Sequence, residues 1–420
     1  MEFATFAEAR SILLWSAFAI AFVMGAVVNK TNFCTMGAVS DIVNIGDSGR
    51  MRAWLFAMAI AILGVVVLSL TDLVNVKQSF PPYTGSQLIW AENILGGLLF
   101  GIGMTLASGC GNKCLIRIGG GNLKSVMVLI VIAIISYFMM YPFPGSDQTL
   151  MSVFFYDWIR PMAINLKTGQ DLGSVIAGAE NATMANAAIG GILGLILVAF
   201  AFKSSDFRKL DNILGGFIVG AAVLGGWYFS SNLAVDLDGE IYSLPKYMQE
   251  WEFVAESTAN KPAEARQLSP QSYTFINPMG QTYNYVKSGL DSKILSFGIM
   301  GLFGVILGSF FWALISKGFR IEWFANFRDF LNHFIGAILM GFGGIMALGC
   351  TIGQGVTGVS TLAIGSILAF GSIVLGSALT MKIQYYKMVY EDEATFLKSL
   401  ITGLVDLKLL PAGMRKLDAV

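Results

Sequence analysis

Three short constellations in this 420-residue chain hold the residues able to do chemistry. The first is NKTNFCTMGA, from Asn29 to Ala38, with Lys30, Asn32, Phe33 and Cys34. The second, ASGCGNKCLIR, runs from Ala107 to Arg117 and holds Gly109, Cys110, Lys113, Cys114 and Arg117. The third, LGCTIGQGVTG, runs from Leu348 to Gly358 with Gly349, Cys350, Gln354 and Thr357. A thiol can be a metal ligand, a redox partner, a nucleophile or a weak S–H donor. One histidine and four cysteines argue against zinc, haem or iron–sulfur chemistry, so no cofactor or metal is expected. Cys110 and Cys114 are spaced C-x3-C rather than C-x-x-C, and Cys34 and Cys350 have no resolving thiol nearby, which sets a thiol oxidoreductase second. The remaining use is hydrogen bonding. Neutral, soft S–H groups suit a polarizable sulfur-containing anion, which a thiolate would repel.

The surrounding residue types agree. Glycine lets the backbone leave helical geometry and approach a solute. A helix starting after each break presents free N–H groups and a positive dipole end, a ready anion site. Thr357, Ser360 and Thr361 are of the type that caps such a start. Gln354 reads equally as a backbone partner and as a solute ligand. Lys30, Lys113 and Arg117 would draw an anion to one mouth, and they also satisfy the positive bias of cytoplasmic loops. Cys114 reads as a bystander, and Asp41 as a partner for Arg50 or Arg52.

The elements that position these motifs are membrane helices. Hydrophobic residues make up 55% of the chain and charged ones 13%, against about 25% in soluble domains. Lys+Arg and Asp+Glu number 27 each, so nothing points to nucleic acid. The start MEFATFAEAR is wrongly charged for a cleavable signal, so the first apolar run is expected to be retained. About nine apolar segments are long enough to span a bilayer, which predicts an all-α integral membrane protein. Some of them, rich in glycine, are expected to be broken or re-entrant. GGLLFGIGMTLASGC, ending at Cys110, matches GAILMGFGGIMALGC, ending at Cys350, under a shift of 240 residues. FVMGAVV at 22–28 matches FIVGAAV at 217–223 under a shift of 195, which places Cys34 over Phe229. Partners five spans apart run in opposite senses, an inverted repeat with its solute site near the midplane. The expected division is a first half at 1–202 and a second at 203–229 and 293–380. An extracytoplasmic insertion at 230–292, with Trp251, Glu252, Glu256 and Pro262, and a cytoplasmic tail at 381–420 complete it. Lys and Arg in alternate loops put the N-terminus outside and the C-terminus inside.

At Phe33-Cys34, Gly109-Cys110 and Gly349-Cys350, followed by Gly353-Gln354-Gly355, the chain resembles the YeeE/YedE family of bacterial sulfur-compound and thiosulfate transporters. The resemblance covers most of the membrane part, in order. It implies an hourglass-like inverted repeat in the inner membrane, and passage of thiosulfate along three cysteines without a covalent intermediate. It also implies a small TusA-like sulfur-carrier protein as a cytoplasmic partner. Cys114 and the 230–292 stretch are departures, and Lys30 and Asn32 stand where an arginine before Phe33 is expected. A selenium-containing anion would suit the same three thiols. A third class, a membrane anchor that recruits partners through its tail, competes with transport. No intramembrane carboxylate pair stands out as a proton relay, so the sequence leaves the driving force open, and facilitated diffusion drawn by cytoplasmic consumption is compatible with it.

Overall fold

The computed structural model describes residues 1–237, 239–255 and 261–418, so Glu256 lies outside the described residues. Among them, nine helical stretches are long and apolar enough to cross a membrane. The protein is an all-α integral membrane protein. With no water in the hydrocarbon core, a helix is the form that satisfies every backbone group within its own segment.

The first four spans are α1 (Phe6–Thr31), α3 (Gly49–Leu70), α4 (Trp90–Leu106) and α6 (Leu123–Met140). Two short helices lie between them, α2 (Thr35–Ser40) after α1 and α5 (Gly111–Gly119) after α4. A fifth span, α7 (Leu172–Phe202), packs on α3 and stays largely exposed. The remaining spans are α8 (Leu210–Ser231), α10 (Phe297–Ile315), α11 (Phe327–Met346) and α12 (Ile364–Val389). The short helix α9 (Ile276–Lys287) precedes α10, and a π-wound turn, Gly353–Gly358, precedes α12. The last helix, α13 (Phe396–Asp406), packs on α12.

Glycine dictates the packing. A Cβ at Gly96 would lie 2.8 Å from the Gly343 carbonyl oxygen, and one at Gly343 2.5 Å from that of Gly96. Gly103 and Gly336 oppose each other in the same way, at 2.6 Å both ways. Under the shift of 240, Gly96 maps to Gly336 and Gly103 to Gly343. Helices α4 and α11 therefore cross antiparallel through self-complementary contacts, the signature of a two-fold relation. The outer pairs repeat the scheme in parallel. Gly304 and Gly308 of α10 meet the carbonyls of Phe18 and Phe22 in α1, and Gly216 and Gly220 of α8 meet those of Ala53 and Ala57 in α3.

Two expectations need correcting. The 230–292 stretch is not one surface insertion. Its first part forms a cap: a short strand (Ala234–Leu237) pairs with Glu2–Phe3 and with Glu240–Ser243, and Phe6 stacks on Tyr247. Its last part re-enters the bundle, where α9 packs against α6, α10 and α11. Phe229, matched to Cys34 by the 195 shift, lies inside the continuous helix α8. The break equivalent to Cys34 comes instead at Tyr273–Ile276, where Phe275-Ile276 parallels Phe33-Cys34. The cap had displaced that match along the chain. On the opposite face, the expected tail at 381–420 starts as the last turns of α12.

Candidate functional site

Four breaks meet in the middle of the bundle. At two of them the backbone is the same structure twice. Ser108 and Leu348, related by the shift of 240, both turn left-handed, at φ 56° and 59°. The Gly109 and Gly349 amides donate to the Met104 and Gly344 carbonyls at 2.8 Å each, which ends the preceding helix in each case. The Cys110 and Cys350 carbonyls then accept from Cys114 and Gln354, at 2.9 and 2.8 Å, and open the next helical turn. At Gly109 a Cβ would sit 3.1 Å from Lys113 Cγ, a tight approach to a flexible side chain, with Arg117 Nη1 at 3.9 Å. At the break after α1, Asn32 takes the left-handed conformation and Cys34 caps α2, its Sγ accepting the Gly37 amide at 3.5 Å. Phe33 holds that turn by stacking on Trp54 at 4.6 Å.

Cys34, Cys110, Cys114 and Cys350 are all free and buried. Cys110 has both Cys34 and Cys350 as electrostatic neighbours, with the Thr351 hydroxyl and the Lys113 amide beside its sulfur. The three thiols are thus brought into one neighbourhood at the breaks. Cys350 accepts the Gly353 amide at 3.5 Å, and the Phe275 and Ile352 amides and the Thr274 hydroxyl also face it. Such convergent amides form a nest for negative charge. Cys114 instead turns back, its thiol 3.9 Å from the Gly109 carbonyl.

Buried polar side-chain atoms without a hydrogen-bond partner concentrate here. The hydroxyls of Thr35, Thr274 and Thr351, Asn112 Oδ1, Gln354 Oε1 and the Tyr83 phenol are all of this kind. An unpaired buried polar group costs about 1–3 kcal/mol, so their gathering at the breaks is a mark of ligand chemistry. Tyr83 comes from the 79–85 loop and has Cys350 as an electrostatic neighbour. Burial first, and then Cys350, push its phenol well above the ordinary tyrosine range, so it stays an O–H donor.

The charged residues lie on the face bearing the C-terminus. Lys113 Nζ is 3.4 Å from Asn32 Oδ1, and Lys113, Arg117, Lys317 and Arg320 line a cavity of about 550 Å³ together with Asn32 and Glu322. Arg50 reaches the Cys34 turn, its Nη1 against the place a Gly37 Cβ would take, while Asp41 holds it through bonds of 2.5 and 2.6 Å. Lys30 is not in this group: its ammonium lies 5.6 Å from the Trp312 ring on the outer side of α10. Gln354 donates to the Ala347 carbonyl, and Thr357 to that of Tyr273 at 2.7 Å, so Thr357 ties two breaks together and does not cap a helix. Ser360 and Thr361 bond back to the Thr357 and Gly358 carbonyls, and Ala363 takes the cap position of α12. Sequence reasoning missed Tyr83, Thr274, Thr35, Thr351 and Arg50. The usable signals were a threonine directly after Cys34 and after Cys350, and Phe275-Ile276.

Paired antiparallel halves enclosing buried thiols, free hydroxyls and a basic mouth define a membrane protein of the transporter class. The family described as Sulphur transport matches residues 30–379, and the chain belongs to it. The chain is 24% identical over 380 residues to the thiosulfate transporter TsuA of Spirochaeta thermophila, covering 87% of this chain and 97% of that protein. It is 24% identical over 336 residues to the thiosulfate transporter TsuA of Escherichia coli, covering 79% and 84%.

Proposed function

We propose that the protein carries thiosulfate, or a closely related sulfur anion, inward across the bacterial inner membrane. The N-terminal face is outside, and Cys350, Cys110 and Cys34 are met in that order. The observation that supports this reading is that Cys34 and Cys350 are both electrostatic neighbours of buried Cys110, with the buried hydroxyls of Thr35, Thr274 and Thr351 at the same breaks. Thiosulfate is a doubly charged ion with a soft terminal sulfur and hard oxygens. The amides and hydroxyls around Cys350 serve the oxygens and the thiols serve the sulfur. The anion is passed by exchanging S–H hydrogen bonds, without covalent chemistry. Arg50, Lys113 and Arg117 attract it to the inner vestibule, where a cytoplasmic consumer, by expectation a small TusA-like sulfur carrier, takes it up. The names and coverage of the two relatives support the substrate.

The test is uptake of labelled thiosulfate by the purified protein alone in liposomes. Single alanine variants of Cys34, Cys110 and Cys350 are expected to lose about tenfold or more of the initial rate, the weight of one hydrogen bond to a charged solute. The Cys114→Ala variant should stay close to wild type. Wild-type rates in all three variants would remove the relay.

A further inference from the structure

Away from the thiols, on the N-terminal face, three oxygens converge beside Gly169 without enough hydrogens between them. A Cβ on Gly169 would lie 2.7 Å from Asp171 Oδ2, 2.7 Å from the Thr84 carbonyl oxygen and 3.5 Å from Ser174 Oγ. Asp171 and Ser174 are each 2% exposed, and neither Oδ2 nor Oγ has a hydrogen-bond partner. Among the described residues the Thr84 carbonyl accepts no hydrogen bond, and Asp171 forms no ion pair. The Ser174 hydroxyl carries one hydrogen, which can satisfy one of the other two oxygens. The second carboxylate oxygen, Oδ1, accepts from the Ser174 amide at 2.9 Å and from Asn186 Nδ2 at 2.6 Å, at the start of α7. These two donors satisfy Oδ1 and leave Oδ2 as the unpartnered oxygen of the pair. An unpartnered carboxylate oxygen and an unpartnered carbonyl oxygen on the same side of Gly169 are the ligand types of a positive ion.

The donor set selects the ion. All three ligands are hard oxygens, which suit alkali and alkaline-earth cations. One carboxylate is too little charge for calcium, whose sites hold several, so a single positive charge fits. An approach is present: a cavity of about 350 Å³ lined by Asp72, Lys77, Asn75, Ser360 and Thr361 reaches Asn186, the partner of Asp171. The location couples the site to the path. Gln170 accepts at Oε1 from the Gly365 amide at 3.1 Å and donates from its own amide to the Gly85 carbonyl at 3.2 Å, while the Leu172 amide donates to Leu362. This segment therefore joins the start of α12, just after the Cys350 break, to the loop whose Tyr83 neighbours Cys350.

We propose that Asp171, Ser174 and the Thr84 carbonyl bind a monovalent cation, sodium by preference, whose occupancy fixes the Tyr83 loop and couples anion entry to a cation gradient. Sodium is the monovalent cation richer outside most cells, as inward drive requires. The proposal rests on the transport reading above, and its test separates the two. In liposomes with the membrane potential clamped at zero, external sodium in place of choline should raise wild-type thiosulfate uptake about tenfold, and the Asp171→Asn variant less than about twofold. Asparagine keeps the helix cap and the Oδ1 bonds, and places an amide donor where the cation would sit. The Ser174→Ala variant should raise the half-saturating sodium concentration about threefold or more. Without thiosulfate, sodium should raise the melting temperature of the wild type and not of Asp171→Asn. Equal uptake in sodium and choline, with no sodium-dependent melting shift, would overturn the site and leave the transport reading standing. A rate that follows external pH and ignores sodium would assign a proton to Oδ2 and overturn it as well. Absence of thiosulfate uptake in any salt, with the melting shift intact, would remove the transport reading and support the cation site.

Discussion

Cys350 shows how little of an anion site needs to be charged. Its sulfur faces three backbone amides and the Thr274 hydroxyl, and Tyr83 neighbours it with an O–H that burial keeps protonated. On the function proposed above, neutral donors fixed by the fold would bind a dianion without holding it too tightly to leave. Thr274→Val and Tyr83→Phe each delete one such donor and preserve shape. Each is expected to raise the KM for thiosulfate uptake about tenfold, with the fold intact by melting temperature. An unchanged KM in both would show that neither hydroxyl meets the anion. The three thiols were legible in the sequence because cysteine is rare and two of the three stand at matched repeat positions. Thr274 and Tyr83 were not, because hydroxyls are common in loops, and only the return of the chain into the bundle brings these two to Cys350. Lys30 misled for the opposite reason. It is four residues from Cys34, but the left-handed turn at Asn32 parts them, and its ammonium ends over Trp312.

At the scale of helices, the crossing of α4 and α11 was legible in outline, since its glycines are what the 240 shift aligns. That they touch one another, Gly96 on Gly343 and Gly103 on Gly336, is a property of the folded chain alone. Ala at Gly103 or at its repeat partner Gly343 would press a methyl within 2.6 and 2.5 Å of a backbone oxygen. Both variants are expected to be destabilised by a similar amount, about 1–3 kcal/mol. Gly371→Ala in α12, where a Cβ meets nothing within 4 Å, should be neutral or slightly stabilising. Thermal unfolding in detergent distinguishes these outcomes, and an effect confined to one half would deny the two-fold relation. Helix α9 escaped the sequence reading because its 12 residues, with Asn277, Pro278, Gln281 and Asn284, are too short and too polar to read as membrane.

Taken whole, a carrier of the proposed dianion works against an inside-negative potential that opposes entry by roughly 4.6 kcal/mol per 100 mV for two charges. Cytoplasmic consumption alone would have to keep the anion more than a thousandfold lower inside to balance about 100 mV. That load gives the proposed cation coupling its purpose. The stretch that carries the cap on the N-terminal face also holds a polar cluster of Glu264, Arg266 and Tyr141. Burial raises the Glu264 carboxyl, but bonds from Arg266 and Tyr141 outweigh it and leave it below the ordinary carboxylate range. A depressed folded value means this contribution is complete above the unfolded pKa and is lost as pH falls through the folded one. Acidification from about pH 6 to about pH 3 should therefore lower the melting temperature more in the wild type than in Glu264→Gln. Equal losses would show that the cap is held by its packing, Phe6 on Tyr247 and Trp251, and not by this carboxylate.

The reciprocal glycine contacts have one more consequence. Two helices whose main chains touch at two separate heights are riveted, and cannot tilt about each other without collision. Rocking or elevator travel of one half against the other is thereby forbidden at the waist. Any opening and closing falls to pieces the size of a single loop, so turnover by this carrier should proceed with a stationary frame.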